Sequence, residues 1–259
     1  MTHNLSSVVA VYKPVGKTPL ECVTKYRSLH RIDPSVTISY AGRLDPMAEG
    51  VLLLLVGEAN KKRREYEHLS KEYEVIVLVG FATDTGDLMG KITQVSNDGV
   101  NLSRDDIISA SKSFVGLIQQ KYPIYSSAKV QGKPLYWWAR QGRLNEIEIP
   151  THRVRVDNIQ YVSQQQIARD ELSQYIVTSI RNVEGDFRQE EIIMKWQTEL
   201  VKQPKDVSFN LFTLNITCGS GAYMRQLVSD IGERLNMPLV VFKIKRTKVG
   251  DYRLEDCVL

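Results

Sequence analysis

Six consecutive apolar residues, Val51-Leu-Leu-Leu-Leu-Val56, stand between Gly50 and Gly57. They constrain the fold more than any other stretch. A run this short cannot cross a bilayer as a helix, but as a strand it must be covered on both faces. It therefore predicts a buried strand in a sheet with elements packed on either side. Ser6–Tyr12 reads as another strand, and the alternation of Tyr73, Val75, Val77 and Val79 as a third. Leu214–Cys218 and Val240–Ile244 read as two more. Helices are predicted where apolar residues recur at helical spacing. Leu20, Val23, Tyr26 and Leu29 mark one, and Met224, Leu227, Val228, Ile231 and Leu235 another. Ser103 with Asp106 forms a capping-box pattern for a third, continued by Ile107, Ile108, Phe114, Val115 and Leu117. Strands and helices do not alternate strictly, so the pattern favours an α+β fold over a doubly wound sheet.

Composition excludes several classes. Cys22, Cys218 and Cys257 are far apart and lack CxxC spacing, which argues against a disulfide framework. His3, His30, His68 and His152 are scattered without metal-ligand spacing. Met1–Ser7 lacks the basic-then-apolar layout of a secretory leader, and no apolar run is long enough for a membrane span. A cytoplasmic protein is the expectation. The net charge of +4 permits nucleic-acid binding without arguing for it.

Charge placement says more. Lys121–Arg155 carries seven basic residues against two acidic ones, interleaved with Tyr122, Tyr125, Tyr136, Trp137 and Trp138. That mixture offers phosphate contacts and stacking platforms, as a structured-RNA binder needs, or else a basic face over a small aromatic core. Gln165–Leu200 is the opposite, with four basic residues against seven acidic. Two helices fit there, one through Ile167, Leu172, Ile176 and Ile180, the other through Ile192, Ile193, Trp196 and Leu200.

Just before the apolar run lies Ala41-Gly-Arg-Leu-Asp-Pro-Met-Ala-Glu-Gly50. It places the Asp45 carboxylate in a loop bounded by Gly and Pro at a strand edge, where a rigid scaffold can present a catalytic group. An Asp before Pro also forms turns and caps backbone amides, and residue chemistry alone leaves both readings open.

Gly42-Arg-Leu-Asp45 with Pro46-Met-Ala-Glu-Gly50 resembles the catalytic motif of pseudouridine synthases. Further blocks resemble the TruB branch, which acts on uridine 55 in the T-loop of tRNA. In order, they are Lys13–Thr18, Gly57–Lys62 with Lys71-Glu-Tyr73, Gly80–Gly90, Gln120–Ser126 with Ala128–Gly132 and Leu135–Gly142, Cys218–Arg225 and Lys245–Gly250. They cover most of the chain outside the acidic segment.

The resemblance implies a pseudouridine synthase fold: a mixed, mainly antiparallel central sheet flanked by helices. It implies one catalytic domain over residues 1–259, with an RNA-clamping thumb at about 119–145 and an acidic helical insertion at about 158–205. The C-terminal PUA domain of many members is not expected, so grip on the RNA would rest on the T-arm. The reaction is an isomerisation, so no cofactor and no metal are implied. Asp45 is implied as the catalytic carboxylate, Arg225 as its partner and Tyr73 as the residue packed on the uracil. Tyr40, Arg43, Lys61, Lys62, Arg63, Asp87, Lys129, Arg140 and Tyr223 are implied RNA contacts, with Arg246 near the site. Asp87 would also suit a cap in the Thr85-Gly86-Asp87 turn. The expected partner is tRNA, bound by a monomer without protein partners.

Three positions depart from the branch. Arg43 stands where Thr is usual, Tyr40 where a base-displacing His is usual, and Ser220 where a basic residue is usual. They keep open another RNA uridine as target. A tRNA-folding chaperone with little turnover is the alternative of a different class. The acidic insertion is expected to lie away from the RNA, because phosphate would repel it.

Overall fold

In the computed structural model, which describes residues 6–96 and 102–258, the apolar run is the interior of a ten-residue strand. Residues 1–5, most of the stretch read for a leader, lie outside the described residues. The chain runs β1 (Ser6–Lys13), α1 (Pro19–Leu29), β2 (Ile38–Ala41), β3 (Ala48–Gly57), a 3-10 turn (Glu58–Lys62), α2 (Arg63–His68) and β4 (Lys71–Val79). It continues through β5 (Phe81–Thr83), β6 (Ile92–Val95), α3 (Arg104–Lys112), β7 (Gly116–Lys121), β8 (Lys129–Val130), β9 (Lys133–Pro134) and α4 (Leu135–Arg140). Then follow β10 (Thr151–Ala168), α5 (Arg169–Arg181), α6 (Gln189–Val201), β11 (Ser208–Cys218), α7 (Met224–Leu235), β12 (Leu239–Val249) and β13 (Tyr252–Arg253).

The central sheet has the order β1-β3-β12-β4-β11-β10-β7, with β2 added to β3 and β13 to β12. Only β12 and β3 pair in parallel; the other ladders are antiparallel. The fold is thus α+β with a mixed, mainly antiparallel sheet. Val51 to Leu55 are fully buried, as a strand covered on both faces requires. β4 sorts its side chains by strand period. Tyr73, Val75, Val77 and Val79 face α3 and α7, while Leu78 faces α5 and α6. Among the described residues no helix is long and apolar enough to cross a membrane.

Three local expectations change. α1 buries Pro19, Cys22, Val23 and Tyr26, whereas Leu20 and Leu29 are exposed. Steps of three residues fall short of a 3.6-residue turn, so a stripe spaced only by threes drifts off the buried face. The capping box of Ser103 and Asp106 forms, with Asp106 N donating to Ser103 Oγ at 3.1 Å. Yet α3 stops at Lys112, and Leu117 lies exposed in β7. Gly116 at φ 117° breaks the helix, and pairing with β10 at Val156↔Gly116 through Thr151↔Lys121 takes over. The stretch expected to be helical from Asn158 remains strand to Ala168, because it pairs with β11 up to Ala168↔Ser208. Only Arg169–Arg181 and Gln189–Val201 are helical there.

α5 and α6 are part of the core. Leu172, Ile176, Ile180, Ile192, Ile193, Trp196 and Leu200 are buried in one cluster with Leu78, Leu88, Leu211 and Phe242. The fully buried Trp196 donates its indole N–H towards Leu88 O and Gly90 O, at 3.2 and 3.1 Å. An acidic segment therefore covers the second face of the sheet.

Candidate active site

The loop from Gly42 to Met47 is held from below by buried cations. Arg246 on β12, 1% exposed, donates to Val51 O at 2.8 Å and to Gly42 O at 2.9 Å. Lys13 at the end of β1 is fully buried and donates to Lys17 O at 2.6 Å and Pro46 O at 3.3 Å. Gly16 N also donates to Pro46 O, at 2.9 Å. Gly50 lies so close to β12 that a Cβ there would sit 2.1 Å from Arg246 O, so no side chain fits. These contacts fix the loop that carries Asp45 against two strands.

Above the loop lies a cavity of about 760 Å³, lined by Asp45, Tyr73, Asp87 and Arg225 and by Tyr40, Arg43, Arg140, Tyr223 and Arg246. Arg225, the second residue of α7, is 4% exposed. Its Nε donates to Asp45 Oδ2 at 2.8 Å, and its Nη1 donates to Thr85 O at 2.6 Å. Asp87 Oδ2 is 3.7 Å from the same Nε. Burial disfavours the charge on Arg225, but Asp45 and Asp87 outweigh it, and its pKa lies above the ordinary value. Burial pushes the Asp87 carboxyl up, although Arg225 and the Thr85 hydroxyl, which donates to Asp87 Oδ1 at 2.6 Å, pull the other way. Asp45 differs from Asp87 in keeping 34% of its side chain exposed, towards the cavity. The site therefore holds one accessible carboxylate on a buried guanidinium.

Tyr73 stands opposite Arg246 in the β4–β12 ladder and is nearly buried. Burial raises its pKa against the pull of Arg246, so its hydroxyl keeps its proton at neutral pH. Tyr223 caps α7, and its backbone N–H donates to Gln120 Oε1 at 2.8 Å, tying α7 to the end of β7. Tyr40 and Arg43 meet at the mouth, where Arg43 Nη2 lies 3.4 Å from the Tyr40 hydroxyl. Arg63 lies 5.9 Å from the centroid of the Tyr40 ring and so borders the site.

Lys61, Lys62 and Lys129 are not brought to the cavity. The first two sit exposed on the 3-10 turn, Lys61 paired with Glu58. Lys129 is exposed on the β8–β9 hairpin. Beside that hairpin, α4 packs Leu135 and Trp138 inward, and Arg143 lies 5.7 and 5.3 Å from the rings of Trp137 and Trp138. The basic-aromatic stretch thus has its own small aromatic core, with cations laid over it.

The sequence reading missed Lys71, Asp186, Phe187 and Arg188, all of which line the cavity. Lys71 is two residues from Tyr73 in β4, and strand period alone would have put both on one face. Tyr125, one of the aromatics read as stacking platforms, also lines the cavity. Nothing local marks Asp186 to Arg188, which join α5 to α6. One loop of the acidic segment thus lines the cavity.

A family model described as "TruB family pseudouridylate synthase (N terminal domain)" matches residues 31–180. The tRNA pseudouridine synthase B of Bacillus cereus is 29% identical over 254 residues, covering 98% of this chain and 69% of the relative. That of Geobacillus thermodenitrificans is 31% identical over 254 residues, covering 98% and 70%. Among solved structures, a chain in a Cbf5-Nop10-Gar1 complex superposes with a TM-score of 0.57 at 18% identity, over 96% of this chain. A chain of the archaeal box H/ACA sRNP Nop10-Cbf5 complex gives 0.54 at 16%, again over 96% of this chain. This chain spans about half the length of those two, 50% and 49%, and at such identities the likeness is one of fold. A match that takes in the Asp45 loop, together with relatives aligned along nearly the whole sequence, places this chain in the TruB family of pseudouridylate synthases.

Proposed function

We propose that this chain converts uridine to pseudouridine in structured RNA, at uridine 55 in the T-loop of tRNA, with Asp45 as the catalytic carboxylate. The observation that carries the reading is the accessible Asp45 carboxylate on the buried Arg225 guanidinium, in a cavity that also presents Tyr73. The C1′–N1 bond of the nucleotide breaks, uracil turns, and C1′ bonds to C5. The C5 proton leaves and N1 gains one, so atoms balance without a donor or redox partner. Arg225 aims Asp45, since its guanidinium Nε donates to Asp45 Oδ2 at 2.8 Å and a guanidinium fork holds a carboxylate in a fixed geometry. Tyr73, kept neutral by burial, packs on the base and relays the proton at C5.

About 760 Å³ is ample for one nucleotide, so the base enters flipped out of its stack. Tyr40 at the mouth is the wedge, and Arg43 and Arg63 beside it contact the backbone. Asp87 holds Arg225 from behind. The hairpin and α4, with Lys129 and Arg140, form a thumb on the T-arm. Lys61 and Lys62 reach phosphates further out. The protein works as a cytoplasmic monomer. Arg43 at the mouth favours a second reading, another RNA uridine in a different loop.

The test uses a tRNA transcript tritiated at uracil C5. Release of tritium by the wild type, with Asp45→Asn slower by about 10³-fold or more, is the expected result. Equal release by both would remove Asp45 from the chemistry. Mapping the modified position separates uridine 55 from other targets.

A further inference from the structure

The loop joining α5 and α6 forms one side of the cavity mouth. It is anchored in several places. A Cβ on Gly16 would lie 2.5 Å from Asn182 O, so β1's turn and the loop touch backbone to backbone. Lys17 pairs with Glu184. Gln189 Nε2 donates to Val183 O at 3.0 Å and to Gly185 O at 2.6 Å, and its Oε1 accepts from Phe187 N at 2.9 Å. Arg140 of α4 donates to Asp186 O at 2.6 Å. Arg188 itself sits at φ 64°, a left-handed conformation that a non-glycine residue keeps only when its surroundings impose it.

The imposed position aims a guanidinium at the cavity. Arg188 lies 4.4 Å from the Tyr125 ring centroid, and its Nη1 donates to Asp84 Oδ2 at 2.9 Å. That is the one side-chain hydrogen bond of Arg188 among the described residues. A guanidinium carries a fork of N–H donors, so one carboxylate contact leaves others for an acceptor in the cavity. The acidity of the segment does not stand against an anion here, because six of its seven carboxylates are paired with cations. Asp170 pairs with Arg169, Glu184 with Lys17 and Asp186 with Arg140. Glu190 pairs with Arg181, Glu191 with Lys91 and Glu199 with Lys195 and Lys202.

We propose that Arg188, with Arg140 beside it, binds a phosphate of the RNA backbone next to the nucleotide drawn into the cavity, which makes the α5–α6 insertion a substrate-binding wall. The proposal rests on the RNA-modifying reading of the site. The cavity floor is taken by Arg225 and its two carboxylates, where ribose and base must go. A cation at the mouth therefore meets the backbone. No residue of this loop falls within the family match, which ends at residue 180.

The test is the affinity of wild type, Arg188→Gln, Arg188→Lys and Asp84→Asn for unmodified tRNA transcript, across about 50 to 200 mM salt. Arg188→Gln is expected to weaken binding roughly tenfold at the low end. It should also flatten the slope of log K against log salt by about 0.7 to 0.9, the signature of one lost phosphate contact. Arg188→Lys and Asp84→Asn each keep a cation at the mouth and should keep the wild-type slope. An unchanged slope in Arg188→Gln would overturn the proposal. So would equal losses in Arg188→Gln and Asp84→Asn, which would make the arginine a brace. If the wild type releases tritium from tRNA and Arg188→Gln keeps the slope, this inference alone falls. If the wild type neither binds nor modifies tRNA, the proposed function falls with it.

Discussion

Two arginines serve the same cavity in opposite ways. Arg225 is 5% exposed by its side chain and lies between Asp45 and Asp87; Arg188 is 20% exposed and holds only Asp84. Both stand at the start of a helix, α7 and α6. The difference is in what balances each charge. Two carboxylates and two carbonyls, Thr85 O and Tyr125 O, surround Arg225, so its work is internal: it orients protein groups. Arg188 has an aromatic face and a single carboxylate, so part of its hydrogen-bonding capacity remains for something outside the protein. Burial and partners, rather than residue type, separate an orienting cation from a contacting one.

The sharpest way to break the comparison is Arg225→Met. It strands the buried Asp87 without its cation and leaves Asp45 unaimed. Loss of one partner from a buried ion pair costs about 3 to 5 kcal/mol, to be read from the urea midpoint. Tritium release should fall by about 10³-fold, as for Asp45→Asn. Adding Asp87→Asn to Arg225→Met should recover part of the stability and none of the activity, because only the stranded charge is removed. If Arg225→Met unfolds no more readily than the wild type, the pair is more hydrated than its burial implies.

Trp196→Ala probes the other side of the comparison, since it loosens the helices that carry Arg188. Trp196 is fully buried against Phe81, with ring centroids 5.3 Å apart. Its truncation should cost about 3 to 5 kcal/mol. In the surviving folded fraction, tRNA affinity should drop while the rate at saturating RNA stays closer to wild type. A loss of rate equal to that of Arg225→Met would mean that the insertion supports the floor of the site as well as its mouth.

The two halves of the comparison were not equally legible. The Asp45 loop could be read because its motif is contiguous, from Gly42 to Gly50, with both glycines at positive φ of 72° and 112°, although Arg225, Arg246 and Lys13, distant in sequence, hold it in place. The α7 helix and β3 could also be read, from apolar spacing alone. The mouth could not. Arg188 reaches the cavity because Gly16, Asp84, Tyr125 and Arg140, all distant in sequence, each hold part of its loop. The polar run Asn158–Gln166 was hidden for a related reason. It is a strand only because β11 offers it a ladder, and much of its surface faces solvent. Net charge also says little about the local field of the insertion, since six of its seven acidic residues are paired.

Lys71 gives the smallest effect and a third kind of cation. It is 5% exposed, lines the cavity, and donates to the Glu67 carbonyl at 2.6 Å rather than to a carboxylate. Burial, with Arg246 nearby, lowers its pKa to about 8 from the ordinary 10.5. Below pH 8 the folded and unfolded chains both hold the proton. Between pH 8 and 10.5 the unfolded chain holds a proton that the folded one has released, so stability rises with pH over that window. One such group contributes at most about 1.4 kcal/mol per pH unit, hence about 1 kcal/mol between pH 8 and 9. Lys13, lowered to about 8 by burial, adds a like amount. The thiols work the other way as pH nears 9: burial pushes Cys218 up to about 12 and Cys257 up to about 11, and raises Cys22 as well, so the measurement belongs no higher than pH 9. The comparison is the urea midpoint of the wild type and of Lys71→Met at pH 7.5, 8.25 and 9. The variant retains Lys13 and the thiols, so its rise should be smaller than that of the wild type by the Lys71 share, about 1 kcal/mol. Parallel curves would mean that carbonyl oxygens alone keep a buried ammonium charged here, as two carboxylates keep Arg225.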